Sequence, residues 1–556
     1  MQISPLQKAR NEYKPKTPSI LTQAPARVTL KFSENPTSST ASAGIQELFP
    51  KTFHSKPVEF VAGDNPAANT ARNVAVILSG GQAPGGHNVI VGILDGLKAA
   101  NKDSKLFGFR NGPGGILADD CVELSPEFVA PFRNTGGFDM IGSGRTKLES
   151  EEQFQKTVEV FERRGISALV VIGGDDSNTN AGLLAEYLAG TGSSIQVVGV
   201  PKTIDGDLKN EQIEVSFGFD TATKTYSELI GNIARDANSA KKYWHFIRLM
   251  GRSASHIALE CALQTRPNIC LIAEEVAEKS LTLDAIVETI VSTIVQRSQQ
   301  GKDYGLVLVP EGLIEAIPEM NTLIGELNTL LAEDEDYFGT LTTFEDQAEW
   351  VNRRLSREAS YVFSTLPSEI QRQLLMDRDP HGNVQVSRIE TEELLVDMVS
   401  TTLRERKARG EFDGKFSSLT HFFGYEGRCA FPSNFDSDYC YALGRTTALL
   451  IQNDLTGYIA TVRGLADAAS DWRPGGAPLA QMMNLERRHG KDKPVIKKAL
   501  VETSGAPFRA FEDHREVWAK DTVYRYPGAV QYYGPTEVCD ATSITLQLEQ
   551  GRSVAI

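Results

Sequence analysis

The sequence predicts an α/β protein with parallel sheets covered on both faces, and three observations predict it. From Asn73 onward, short β-rich apolar runs alternate with longer helical stretches. The runs are continuously apolar, without the in-out alternation of a half-exposed strand. A Gly-, Asp- or otherwise polar turn follows most of them, where a strand hands over to a helix.

The elements follow in chain order. NVAVILS (Asn73–Ser79) leads through a glycine loop to a helix beginning near Asn88. ALVVIG (Ala168–Gly173) leads through Gly174-Asp175-Asp176 to a helix starting near Asn178, and QVVGVP (Gln196–Pro201) ends in the polar turn Lys202–Asp207. HFIRLM (His245–Met250) precedes a helix over Ser253–Gln264. NICLIA (Asn268–Ala273), GLVLVP (Gly305–Pro310) and YIATV (Tyr458–Val462) continue the series. Glu315–Phe412 breaks the alternation: rich in Glu, Arg and Leu at helical spacing, it reads as a helical insertion serving packing, a lid or an oligomer surface. Beyond Arg463 comes a Pro/Gly turn, Pro474–Pro478, and a tail to which no element is assigned.

At 556 residues the chain is long for one domain and suits two to four compact units. A composition 41% hydrophobic and 23% charged is that of a folded globular protein. The net charge of −15 argues against a nucleic-acid or anionic-membrane binder, though it says nothing about one cleft. The six cysteines (Cys121, Cys261, Cys270, Cys429, Cys440, Cys539) form no C-x-x-C pair, which suits a reducing cytoplasm without disulfides or a cysteine zinc site. The longest uncharged stretch, between Arg72 and Asp95, contains Gly80, Gly81, Gln82, Pro84 and His87 and is no membrane span. The first forty residues hold six basic side chains against Glu12 and Glu34, a bias shared with organelle transit peptides. Tyr13, Pro15, Pro18 and Pro25 interrupt an amphipathic helix there, so this segment reads as an ordered or wrapping arm. The only low-complexity patch is Ser38–Ser42.

In parallel α/β sheets, ligands bind beyond the carboxyl ends of the strands, so the turns there carry the chemistry. Gly80-Gly81-Gln82-Ala83-Pro84-Gly85-Gly86-His87-Asn88 allows backbone to approach an anion at a helix start, yet equally makes a plain tight turn. It is neither a P-loop nor a dinucleotide fingerprint. In Gly173-Gly174-Asp175-Asp176-Ser177, adjacent carboxylates call for a cation or basic group; one suits Mg²⁺, or one simply caps the next helix. Pro201-Lys202-Thr203-Ile204-Asp205-Gly206-Asp207 sets a lysine and two aspartates within six residues, suited to proton abstraction beside a phosphate, or to a solvated charged loop. Further turns converge: Met250-Gly251-Arg252, Glu311-Gly312, Tyr425-Glu426-Gly427-Arg428 and Gly142-Ser143-Gly144-Arg145-Thr146-Lys147. Arginines suit phosphate oxygens, and Glu311 suits sugar hydroxyls.

Taken in order, GGQAPGGHN, GSGRTK, GGDDS, PKTIDGD, MGR, PEG and YEGR resemble the phosphofructokinase family from about Asn73 to Val462, in spacing as well as in words. The resemblance implies two Rossmann-like three-layer domains with the active site between them, and phosphoryl transfer to the 1-hydroxyl of fructose 6-phosphate. It also implies a division of the chain: an N-terminal arm over 1–72, a donor-binding domain over 73–242, and a sugar-phosphate domain over 243–314 and 413–465. A helical insertion over 315–412 and a C-terminal extension over 466–556 complete it.

Residue by residue, the resemblance implies Asp205 as proton acceptor, Lys202 and Asp207 as its catalytic neighbours, and Asp175 as the Mg²⁺-linked aspartate. Gly80, Gly81 and Asp176 face the phosphoryl donor. Thr203, Ile204, Met250, Gly251, Arg252, Glu311, Tyr425, Glu426, Gly427 and Arg428 line the sugar phosphate, with Arg428 near the 6-phosphate. Lys242 and Tyr243 match a contact lent by a neighbouring subunit, so at least a homodimer is implied, with room for a related second chain. Bacterial ATP-using members usually carry arginine where this chain has Tyr243.

ATP-using relatives generally have glycine at the position of Asp176, whose carboxylate would crowd and repel a nucleotide's α-phosphate. Asp176 together with Lys202 resembles the long, pyrophosphate-dependent branch, cytoplasmic and Mg²⁺-using. An ATP-dependent enzyme and a regulatory subunit on the same fold are the alternatives. A decayed regulatory subunit sits poorly with the intact Asp175, Lys202, Asp205 and Asp207.

Overall fold

The structure, a computed structural model, describes residues 5–33, 43–376, 384–488, 491–530 and 540–554; the Ser38–Ser42 patch and Cys539 lie outside them. The elements that position the candidate site are β1 (Asn73–Ser79), α1 (Gly86–Ala100), β2 (Ala168–Gly173), α2 (Asp175–Thr191) and β3 (Gln196–Thr203). They continue with β4 (Trp244–Leu249), β5 (Gly305–Pro310), α3 (Thr391–Ala408), β6 (Ser418–Phe423), α4 (Asn434–Gln452), β7 (Tyr458–Arg463) and β8 (Arg473–Pro478).

The chain divides into two compact units. The first gathers the described residues of 1–222, 425–499 and 530–550; the second those of 223–424, 500–529 and 551–556. These boundaries differ from the division drawn from sequence, for reasons visible in each core.

The first unit is built on a mixed sheet. β1 pairs in parallel with β2, β2 with β3, and β3 with β7. Val74–Leu78 and Ala168–Ile172 are almost wholly buried, which is why these strands read as continuous apolar runs. At one side of β7 the direction reverses: β8 pairs with it antiparallel, followed by Val58–Ala62 and then Val28–Phe32, both antiparallel. The expected arm therefore supplies edge strands, and Pro474–Pro478 is a strand. YIATV completes this sheet as β7, so 425–465 belongs with the donor-side strands. Core residues Ala75, Leu169, Val197, Ile459 and Ala477 pack together across it.

The second unit holds four parallel strands in the order Ile269–Cys270, β5, β4, β6. NICLIA yields only Ile269–Cys270, because Ala273 already begins a helix, Ala273–Glu278. The helices between 313 and 408 share one core with this sheet: Phe246 and Val307 pack in the same cluster as Leu323, Val351, Phe363, Leu394 and Val399. Glu392 at the start of α3 is paired to Arg248 of β4, Oε2 to Nε at 2.7 Å. The inserted helices are thus an integral layer. Among the described residues, no helix is long and apolar enough to cross a membrane.

Candidate active site

In the first unit, register brings the turns after β1, β2 and β3 to one edge, with Leu78 opposite Ile172 and Gly173 opposite Pro201. Side chains stitch these turns together. Ser177 Oγ donates to Ser79 Oγ at 2.8 Å, and Asn178 Nδ2 donates to the carbonyls of Gly173 (2.6 Å) and Val200 (3.3 Å). α2 starts at Asp175, three residues earlier than expected, because the helix takes both carboxylates into its first turn, where free N–H groups and the dipole favour negative charge.

The glycine pair after β1 borders two cations. A β-carbon on Gly81 would stand 2.1 Å from Arg428 Nη1, and one on Gly80, whose φ is +84°, 3.4 Å from Lys202 Nζ. Thr203 Oγ1 accepts the Asp205 N–H at 3.1 Å, and Gly206 adopts a φ of +76°, so the chain turns sharply between Asp205 and Asp207. Ile204 is buried beneath the turn. Arg428 Nη2 lies 3.8 Å from Asp205 Oδ1. The short helix Tyr425–Arg428 presents Tyr425 and Glu426 to solvent and buries Gly427.

Charge is concentrated here in little water. Lys202 is buried, and burial pulls its ammonium down to about 8, with Arg428 lowering it further and Asp205, Asp175 and Asp207 opposing. Burial pushes the Asp207 carboxyl up to about 7, helped by Asp205 and Asp175 and opposed by Lys498. Lys498 comes from the tail that had no element assigned. Its Nζ stands 3.6 Å from Asp175 Oδ2 and 4.0 Å from Asp207 Oδ2. No residue pattern around it in the sequence pointed to this position. Ser79 and Asn178 were likewise not singled out, although both adjoin motifs that were.

A magnesium ion fits this donor set. Mg²⁺ usually takes one or two carboxylates and fills its shell with water and phosphate oxygens. Asp175 and Asp207 supply carboxylates, and the buried Asp205 Oδ1 has no hydrogen-bond partner. Among the described residues no group of three or more His, Cys, Asp or Glu is arranged to hold a metal ion by protein ligands alone.

In the second unit, β4 pairs with both neighbours so that Leu249 stands opposite Pro310 and opposite Phe423. Glu311, buried at the end of β5, accepts the Gly251 N–H on Oε2 at 2.9 Å. A β-carbon on Gly312 would lie 2.1 Å from the Arg252 carbonyl oxygen, so the PEG and MGR turns require glycine to pass. Arg252 extends into solvent. Met250, Gly251, Arg252 and Glu311 are therefore brought together. Lys242 and Tyr243 are not: they precede β4, at the far end of a six-residue strand about 20 Å long, with Lys242 Nζ over the Tyr243 ring at 5.1 Å. Asp176 is exposed on the first turn of α2.

Lysine, arginine and aspartates gathered at these strand-end turns have the chemistry that suits phosphorylated anions on an α/β scaffold. The phosphofructokinase family model matches residues 73–372. The chain belongs to the phosphofructokinase family. It is 57% identical to the pyrophosphate--fructose 6-phosphate 1-phosphotransferase of Treponema pallidum (strain Nichols), covering 99% of this chain and 98% of that one. It is 54% identical to the protein of the same name from Porphyromonas gingivalis, over 99% of this chain and 100% of the relative. The fold is similar to the crystal structure of a pyrophosphate-dependent phosphofructokinase from Nitrosospira multiformis, with a TM-score of 0.53 at 17% identity, covering 85% of this chain and 98% of that one.

Proposed function

We propose that this chain transfers a phosphoryl group reversibly from pyrophosphate to the 1-hydroxyl of fructose 6-phosphate, releasing orthophosphate and fructose 1,6-bisphosphate. The observation that carries the reading is the buried Lys202 beside Gly80 and among Asp175, Asp205 and Asp207. A compact, highly charged donor is matched by a desolvated ammonium in a cleft without need of nucleoside contacts.

Asp205 takes the proton of the sugar 1-hydroxyl as that oxygen attacks phosphorus in line, and the bridging P–O bond breaks toward the leaving orthophosphate. Lys202 neutralises charge on the donor, and the Gly80–Gly81 backbone lies against it. Arg428 leaves Asp205 for a sugar-phosphate oxygen. Asp175 and Asp207 would hold Mg²⁺, which supplies charge neutralisation on the phosphate oxygens. Within the first unit, Thr203, Ile204, Tyr425, Glu426 and Gly427 receive the sugar phosphate. Because the phosphoanhydride drop of pyrophosphate is smaller than that of ATP, the reaction runs readily in both directions.

The placement of Lys242 and Tyr243 away from Met250–Arg252 supports their serving a neighbouring subunit, hence a homodimer or larger assembly, or a hetero-oligomer with a related chain. The cytoplasm is the proposed location, in keeping with five reduced cysteines among the described residues. The test is donor choice: purified chain, Mg²⁺ and fructose 6-phosphate, assayed with pyrophosphate and separately with ATP. Turnover with pyrophosphate alone is expected; turnover with ATP alone overturns the donor assignment.

A further inference from the structure

Lys498 is absent from every motif that carried the family resemblance, yet its ammonium pairs with two aspartates of the cluster, Asp175 and Asp207. Its backbone is clamped there, since the neighbouring Ala499 N–H donates to the Asp207 carbonyl at 2.7 Å. The segment arrives from the strand pair Met483–Arg488 and Lys491–Ile496, at whose base Lys497 N–H donates to the Met482 carbonyl at 3.1 Å. Lys498 is therefore delivered to the cluster by the tail and held in register with the Asp205–Asp207 turn.

At 3.6 and 4.0 Å from Asp175 Oδ2 and Asp207 Oδ2, its ammonium is ion-paired to both carboxylates. Its side chain is 32% exposed, so solvent and an incoming ligand can reach it, whereas Lys202 is buried. Three cations (Lys202, Arg428, Lys498) stand against three carboxylates of the cluster (Asp175, Asp205, Asp207) and Asp176 on the same first turn. A divalent ion on the aspartates would leave that group positive by one, facing a pyrophosphate of charge −3 to −4. Without Lys498 no positive surplus remains.

We infer that Lys498 is a donor-binding residue, holding a phosphate oxygen of pyrophosphate, and of orthophosphate in the reverse direction, opposite Lys202. This rests on the pyrophosphate reading given above. Lys498 would turn its charge from the carboxylates, which would hold the metal, toward the donor.

The test uses the full chain with Lys498→Met and Lys498→Arg, and Lys497→Met as a control, since Lys497 is exposed and assigned no role. Pyrophosphate affinity is read by titration calorimetry without sugar, alongside KM for pyrophosphate, orthophosphate and fructose 6-phosphate. In Lys498→Met the Kd and KM for pyrophosphate rise about tenfold or more, as for loss of one hydrogen bond between charged groups. The KM for fructose 6-phosphate changes far less, Lys498→Arg recovers most of the loss, and Lys497→Met stays within about twofold of wild type. A pyrophosphate Kd in Lys498→Met within about twofold of wild type overturns the inference. If Lys498→Met fails to fold, wild-type protein decides: pyrophosphate should slow acetylation of Lys498, read by mass spectrometry, several-fold relative to Lys497, and equal labelling overturns the inference. A wild type that neither binds nor turns over pyrophosphate defeats the functional reading itself, a result distinct from failure of Lys498 alone.

Discussion

Arg428 Nη2 stands 3.8 Å from Asp205 Oδ1, and both that oxygen and Arg428 Nε are buried without a hydrogen-bond partner. The guanidinium faces the carboxylate but makes no direct hydrogen bond to it. Such unpaired buried groups are costly in a folded protein unless a ligand completes them. Substrate phosphate on Arg428 and substrate hydroxyl on Asp205 would complete both.

Asp205→Ala is expected to lose at least about 100-fold in kcat, the contribution of a positioned base. Steady-state rates with pyrophosphate measure this, and a residual rate above about one per cent of wild type removes Asp205 from that role.

Gly81→Ala places a methyl 2.1 Å from Arg428 Nη1. What it meets is the far end of a long side chain, so the fold tolerates it and the melting temperature shifts by no more than about 2 °C. Arg428 is displaced instead, and kcat/KM for fructose 6-phosphate falls about tenfold or more. A variant with unchanged kinetics would show that Arg428 has no part in sugar-phosphate binding.

Asp176→Gly removes an exposed carboxylate from the first turn of α2. Turnover with ATP becomes measurable, and the ratio of kcat/KM for ATP to that for pyrophosphate rises about tenfold or more, the effect of removing one like charge from beside an anion. An unchanged ratio means that donor choice is decided elsewhere.

His87 gives a pH prediction. Met140 N–H donates to its Nε2 at 3.1 Å, so that nitrogen carries no proton, and Nδ1 meets Thr135 Oγ1 at 2.7 Å. Burial lowers its pKa from 6.5 to about 4, with Asp139 opposing. The unfolded chain therefore takes up the proton first, and acid favours unfolding. Stability from this group is complete above pH 6.5 and declines as pH falls toward 4, by up to about 3 kcal/mol. Urea unfolding at pH 7 and pH 5 should show wild type losing more between the two than His87→Gln; equal losses would refute the assignment.

Much of this was legible in the sequence. β1, β2 and β5 coincide with their apolar runs to the residue, because strands buried on both faces leave no polar positions to blur their ends. Lys202, Asp205 and Asp207 were legible as a group, since one sharp turn at a strand end must hold them close whatever the rest of the chain does. Lys498 was not, because nothing local marks a lysine that reaches its partners through a backbone bond to Asp207, nearly three hundred positions earlier. The division of the chain was also hidden. The short run YIATV records only that it is a strand, and which sheet it joins depends on the Tyr458–Val198 pairing.

The sequence by itself determined the α/β class, the strand-end turns and the residue types they carry, because apolar runs, glycines and capping carboxylates act over a few neighbouring residues. Only the tertiary structure decided that β8 and the N-terminal strands extend the sheet antiparallel, that the inserted helices share the second unit's core, and that a tail lysine sits among the aspartates. Those outcomes depend on packing between segments far apart in the chain, where many partners are compatible with the same local pattern and the burial of whole surfaces selects one.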